Sequence, residues 1–535
     1  MFLLLSMDMN VLNYIWHGFH FPNQLPGRWT FMFSFMLLSL CCRAFESYED
    51  FSIKSLAISG GVALALIASS YFLAEDKGTG NIVMGLIFVL MFAVMAVLIV
   101  LFRKDKFHKW LLALLCLAIV IESGSNAVYV VLNKEATGGV IKYIQFDNAM
   151  SEFTEKYNAD EDEFYRTDIY ENWTFDSPQL YGMKGTTYYS STMSEAAFNF
   201  FKNFGMRVYA KNVSTIYTPY SPITNAVFGI KYIANRNMIS LPYGLTELEK
   251  IKNIKVVENE NCLPVAFICD EDALNWTNNV TLSYLENQDT FFSALSGDDT
   301  PCFTKIDWDS SVKTNASVLI SNVWANSTFT CADKGQCRFS FEFTVKEAGE
   351  YYICDNFTKG DYKITVNDEE YTPYIDRVTH VCIGQLEIGD KITVTVSEDG
   401  VGTSYYGMEL YKFNEEAFQK KFDTLNKYGM TVTECKNGHI EGTISSDGGT
   451  VCTSIGQEND GFTVYIDGEE VETQLIAGYM LSFNVSAGEH TVVIDYSVPG
   501  LTVGIICSVP FVVLFAVLYI IMKRRKKQLI TQNEV

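Results

Sequence analysis

YKITVNDEEY (362–371) and FTVYIDGEEV (462–471) are one pattern met twice, 100 residues apart. Each alternates apolar and polar residues, breaks at Asn-Asp or Asp-Gly, and resumes the alternation, which is the signature of a hairpin closed by a two-residue turn. Each then runs through a Gly-centred turn into a last alternating strand, LEIGDKITVTV (386–396) in the first copy and VSAGEHTVVIDY (485–496) in the second, where the offset is 99. Two copies imply two β-sandwich modules of one topology. Glu415 to Tyr428 carries Phe418, Phe422 and Leu425 on one face with Glu and Lys on the other, and reads as a helix that joins them.

Working outward, the texture changes upstream. Residues 133–305 read as mixed α/β, with strand-like runs at 164–170 and 256–269 beside helical runs at 194–204 and 245–252. A bilayer crossing needs about 20 mostly apolar residues. Five stretches qualify, roughly 29–46, 53–74, 80–102, 110–132 and 501–522. The fold class expected is therefore α-helical transmembrane segments plus a large extracytoplasmic α/β and β-sandwich domain. In chain order this gives an outer membrane-edge segment (1–28), four transmembrane helices (29–132), a mixed α/β domain (133–305), a β-sandwich module (306–414), the linking helix with the second sandwich module (415–500), a transmembrane helix (501–522) and a basic cytoplasmic tail (523–535).

Orientation follows from retention of Lys and Arg on the cytoplasmic side. Lys523 to Lys527 follow the last span, and Arg103, Lys104, Lys106 and Lys109 lie between the third and fourth, so residues 133–500 fall outside. That outer part holds 27 Lys and Arg against 54 Asp and Glu, a net charge of −27. Such a surface repels nucleic acid, so no nucleic-acid partner is expected. It suits cations, neutral sugars or basic partners, but is read first as a surface kept soluble by charge. Nine of the 13 cysteines lie in it, where disulfides are permitted; buried thiols and a few bridges both remain open, with Cys331 and Cys337 the favoured pair.

Three groups of residues carry chemistry. Ahead of the first span, His17, His20, Asn23 and Arg28 offer donors at headgroup depth among Trp, Phe and Pro; they suit a lipid-linked phosphate, Arg28 foremost because its fork binds two oxygens. An aromatic belt with a snorkelling Arg has the same composition. In IVIESGSNAVYV (119–130), Glu122 is an ionisable group at membrane depth with Asn126 one turn later on the same face, fit either for function or for a hydrogen bond between helices. In the outer domain, residues 164–194 are rich in Tyr, Trp, Asn and Asp, the chemistry of a glycan-binding cleft; Tyr170, Trp173, Tyr181, Tyr188 and Tyr189 are its candidates, and a polar strand-loop has the same composition. No metal spacing, nucleophile elbow or phosphate loop occurs, and neither a metal nor a bound cofactor is expected.

WHGFHFPNQLPGRWTF (16–31), the Glu122 to Asn126 stretch, SPQLYGMKGTTYYSS (177–191), LENQDTFFSALSG (285–297) and residues 461–500, followed by a span and a basic tail, together resemble the YfhO family of bacterial membrane proteins over essentially the whole chain. The resemblance implies a GT-C-type membrane glycosyltransferase of Gram-positive bacteria. Its donor would be a polyprenyl-phosphate sugar, and its acceptor lipoteichoic acid or a related envelope glycan on the outer face. Members of the family are longer at the N-terminus, so the resemblance also implies a C-terminal portion that is not active alone, with the catalytic carboxylate elsewhere. The partners implied are membrane lipid, the polyprenyl-phosphate sugar and the glycan acceptor. The competing expectation is a non-enzymatic, membrane-tethered scaffold that binds glycan through its sandwiches.

Overall fold

The computed structural model describes residues 10–17, 19, 30–46, scattered positions between 52 and 97, 108–133 and 140–533, with short breaks at 172–173, 191–192, 210–213, 219–220, 237, 239, 315, 320–326, 332–336, 358–360, 372–379, 399–401 and 458. The chain divides into two units, 1–139 and 140–535. The first holds α1 (Asn10–Trp16), α2 (Thr30–Glu46) and α3 (His108–Asn133). Phe31–Ala44 and Cys116–Ser125 are its apolar stretches. The second and third expected spans fall mostly outside the described residues.

The second unit is mostly β-sheet. It opens with α4 (Val140–Tyr157), β1 (Arg166–Tyr170), β2 (Tyr188–Tyr189), α5 (Glu195–Asn203), β3 (Arg207–Tyr209), β4 (Ser214–Ile216), α6 (Pro222–Val227), β5 (Ile230–Asn235), β6 (Leu245–Ile251) and β7 (Ile254–Asn259). A four-stranded sheet in the order β1-β5-β7-β6 lies under α4. Phe146, Ala149, Met150 and Phe153 of that helix pack on Ile169, Ala234, Ile254 and Val256. Residues 245–252, expected to be helical, form β6 instead. Leu245, Leu248 and Ile251 do recur at helical spacing, but Lys252 takes a left-handed φ of 53° and turns the chain directly into β7, so pairing between the strands decides the conformation.

Strand β8 (Ala266–Cys269) and α7 (Tyr284–Ser296) lead into the first sandwich. One of its sheets joins β10 (Ser310–Thr314), β13 (Cys337–Thr344), β15 (Asp361–Val366), β16 (Glu369–Tyr371) and β18 (Lys391–Glu398). The other joins β9 (Phe303–Ile306), β11 (Ala316–Leu319), β12 (Ser327–Cys331), β14 (Gly349–Phe357), β17 (His380–Leu386) and β19 (Gly402–Phe413). Their facing side chains, among them Phe339, Phe341, Ile364, Val394, Ile353 and Leu410, fill the space between. Cys331 and Cys337 form a disulfide at the end of β12.

Helix α8 (Glu415–Asn426) follows, its Phe418, Phe422 and Leu425 buried as expected. Then come β20 (Thr431–Lys436), β21 (His439–Gly456), β22 (Phe462–Ile466), β23 (Glu469–Val471), β24 (Thr473–Ile476) and β25 (Met480–Tyr496), before α9 (Leu501–Asn533). The order β20-β21-β25-β22-β23 repeats β10-β13-β18-β15-β16. Ile364 faces Val394 in the first copy and Val464 faces Ile494 in the second, one residue beyond Val493 where the Gly alignment placed it, because the second copy has an extra residue between its Gly and the strand. The first module turns from one sheet to the other through separate loops. The second bends a single long hairpin at Gly448, Gly449 and Gly488, whose φ of 89°, 135° and 137° suit glycine. Strand β8 pairs with β21, so the segment before the first sandwich completes the second.

Among the described residues one helix stretch, Leu501–Arg525, is long and apolar enough to cross a membrane.

Candidate functional site

At the membrane edge, α1 ends at Trp16 and His17 follows it, half-buried; His20, Asn23 and Arg28 lie outside the described residues. Glu122 and Asn126 both lie on α3, four residues apart and so on one face of the helix.

Among the described residues, the outer aromatics do not converge. Tyr170 is 4% exposed, its ring part of the core and unavailable to a sugar face. Trp173 lies outside the described residues. Tyr181 stands edge-on to Phe146 and its hydroxyl donates to Asp147 at 3.0 Å, which binds it to α4. Tyr188 packs on Phe201, and Tyr189 is exposed, with its backbone N–H donating to Asp176 at 2.8 Å. Composition gave the stacking residue types, but alternation along β1 and β2 sends neighbours to opposite faces.

The motif segments instead build buried polar nodes. Asp168 is fully buried and accepts from Thr186 N (2.5 Å), Thr186 Oγ1 (2.7 Å), Thr187 Oγ1 (2.8 Å) and Ile169 N (3.1 Å). Burial pushes its carboxyl up while those bonds pull it back. In LENQD, Asn287 donates to the carbonyls of Asn279 and Ser283, Gln288 accepts from Ser221 Oγ (2.5 Å) and donates to Phe204 O (2.6 Å), and Asp289 accepts from the N–H groups of Cys302 and Phe303. Lys421, fully buried on α8, lies 3.7 Å from Asp289 and donates to Ser293 Oγ at 2.6 Å. The amphipathic pattern put Lys421 on the polar face, and no signal in the sequence marks its burial. Arg166 reaches from β1 to β21, its Nη1 donating to Phe228 O (2.7 Å) and Ser454 Oγ (2.9 Å) and its Nη2 to Ser454 O (2.8 Å). These residues fix architecture: each partner is another part of the same unit.

A more open site lies on the first sandwich, in a groove of about 740 Å³ between β9, the turn from β13 to β14, and the end of β19. Lys305, Lys346 and Lys412 line it, paired with Glu409, Asp309 and Glu347 respectively. Beside these ion-paired lysines its lining includes Ile306, Phe343, Tyr351 and Phe413, so its walls mix charged and apolar groups. Among the described residues, no group of three or more His, Cys, Asp or Glu is placed to hold a metal ion.

No curated protein matches the chain. Among solved structures, a family 35 carbohydrate-binding module from Clostridium thermocellum aligns at 14% identity over 20% of this chain and 96% of its own, with a TM-score of 0.16. The C-terminal family 6 module of the laminarinase LamC from Zobellia galactanivorans aligns at 11% identity over 21% of this chain and 98% of its own, with a TM-score of 0.14. The family model described as bacterial membrane protein YfhO matches residues 1–508. With that match covering nearly the whole chain and an apolar helix at Leu501–Arg525, the protein belongs to the YfhO family of bacterial membrane proteins.

Proposed function

We propose that this protein is part of a membrane glycosyltransferase of the GT-C type, holding residues 133–500 on the outer face of the membrane of a Gram-positive bacterium and passing sugar from a polyprenyl-phosphate donor to lipoteichoic acid or a related envelope glycan. Membership of the YfhO family over residues 1–508 is the observation that carries this reading. The Lys and Arg distribution supports a multi-pass topology with the C-terminal tail inside. A donor phosphate sits at headgroup level while its chain stays in lipid, so its ligands need donor character at that depth; His17, His20, Asn23 and Arg28 supply it. Glu122 and Asn126 give the span behind them a polar face. The groove on the first sandwich offers the acceptor chain a track of charged and aromatic side chains.

The tandem sandwiches favour a second reading, a membrane-tethered scaffold that binds envelope glycan without chemistry. One experiment separates the two. In cells carrying the protein in its natural reading frame, Arg28→Ala is expected to lower envelope glycosylation by about 10-fold or more with membrane insertion intact, and Arg28→Lys to recover part of it, since Lys keeps the charge without the two-pronged geometry. Normal glycosylation by Arg28→Ala would make the segment an interfacial anchor and leave the scaffold reading in its place.

A further inference from the structure

Three positions change together between the two copies of the repeated hairpin. In the first copy Asn367 closes the turn: its Oδ1 accepts from Lys391 N at 2.8 Å and its Nδ2 donates to Asp390 Oδ1 at 2.8 Å. In the second copy Asp467 stands in its place. Its Oδ1 accepts from Thr491 N at 2.9 Å, and its Oδ2 lies 2.7 Å from His490 Nδ1, His490 being the counterpart of Asp390. The other ring nitrogen, Nε2, lies 3.0 Å from Ser486 Oγ. The first copy has Leu386 and Glu387 at the positions that correspond to Ser486, and neither carries a hydroxyl.

The clamp itself therefore needs no imidazole, because Asn367 and Asp390 make it with an amide and a carboxylate. The second copy makes it with a carboxylate oriented by a backbone N–H, an imidazole bridging through both nitrogens, and a serine at the far end. We propose that Ser486 is a nucleophile for acyl transfer from small esters, with His490 as its base and Asp467 as the residue that orients the ring. The arrangement is recognised by its roles and geometry, independently of fold.

The step balances without any further reactant but water. His490 Nε2 takes the Ser486 hydroxyl proton as Oγ bonds to the ester carbonyl carbon; the alcohol leaves with that proton, and water then attacks the acyl-serine to release the acid and restore the hydroxyl. The imidazolium formed in passing is stabilised by Asp467 and by the carbonyls of Ala487 and Ser486, the same groups that raise the His490 pKa. Ser486 is exposed, and Gly448 across the strand from it carries no side chain; a Cβ there would come within 3.1 Å of Ala487 N. Ser486 stands exposed beside the bend of the hairpin, where short acyl groups, including those borne on a polymer, can reach its hydroxyl.

The test uses the full-length protein in detergent with a fluorophosphonate probe and with p-nitrophenyl acetate. The probe is expected to label Ser486 about 100-fold faster than an exposed serine such as Ser310, on the scale of general-base catalysis. Labelling and acetate release should rise with pH through the imidazole titration and then level off. Ser486→Ala should remove both. Asp467→Asn should leave thermal unfolding unchanged, since asparagine closes the first hairpin, yet slow labelling about 100-fold and flatten the pH profile, because the amide fixes the ring proton on Nε2 where it cannot accept another. His490→Gln should do the same by removing the base. Labelling of Ser486 no faster than Ser310, or equal in wild type, Asp467→Asn and His490→Gln, overturns the proposal and leaves the three residues a hairpin clamp.

Discussion

Replacing Lys421 with Ala is expected to cost about 3–5 kcal/mol of stability, the range for breaking one side of a buried ion pair. Its ammonium is fully buried, and Asp289, 3.7 Å away, is nearly so. Asp289 also accepts from Cys302 N at 2.9 Å and Phe303 N at 3.2 Å, where the chain enters the first sandwich. Removing the cation leaves a carboxylate that burial already pushes up and that the backbone N–H groups of Cys302 and Phe303, with the Cys302 thiol, still hold down. The double variant Lys421→Met with Asp289→Asn should be less destabilised than the sum of its parts, because the neutral pair asks for no desolvation of charge. Thermal and denaturant unfolding of the purified protein checks both. Strictly additive losses would show that the two residues do not act as a pair.

The second large effect is on pH. Strand β14 carries two buried carboxyls on opposite faces. Glu350 accepts from Tyr352 Oη at 2.5 Å and Tyr243 N at 3.2 Å, and burial pushes it up to about 7 against the opposing pull of those bonds. Asp355, within the sandwich core, is pushed up to about 8 by burial. Both folded values lie above the unfolded ones, so the fold holds these protons more tightly than the unfolded chain does. Their contribution to stability is full below about pH 4 and is lost as pH rises, through about 7 for Glu350 and about 8 for Asp355. For Glu350 the loss is on the order of 3 kcal/mol. Stability is therefore expected to fall from pH 5 to pH 8. Glu350→Gln and Asp355→Asn should each flatten that slope while leaving stability near pH 5 little changed. A slope unaffected by either substitution would place the titrating groups elsewhere.

What the sequence revealed follows from which physical signals are local. The repeat was legible because alternation and turn chemistry act over a few residues, and Ile364 with Val394 and Val464 with Ile494 pair as two copies of one topology, the second shifted by a single residue. The Cys331–Cys337 bridge was legible from spacing. Strand β6 was not, because Leu245, Leu248 and Ile251 satisfy a helical period and only pairing with β7 overrides it. The placement of the tyrosines in residues 164–194 was not legible: Tyr170 turns into the core and Tyr181 toward α4, and direction comes from tertiary packing. Lys421 and Arg166 were illegible for a related reason. A lone cation looks solvated in sequence, and its burial depends on partners 132 and 288 residues away, Asp289 and Ser454. The link from His490 to Ser486 spans four residues, but recognising it takes side-chain geometry.

Everything proposed for the donor phosphate and the glycan acceptor depends on residues 133–500 facing outward, so the side of the membrane on which they lie is the most direct test. Ser310→Cys on the exposed strand β10 and Gln528→Cys in the basic tail serve as reporters, treated with a membrane-impermeant maleimide in intact cells and read by peptide mass spectrometry. The account predicts modification at position 310 in intact cells and at position 528 only after permeabilisation. Modification at 528 in intact cells, with 310 protected until the membrane is opened, would contradict it.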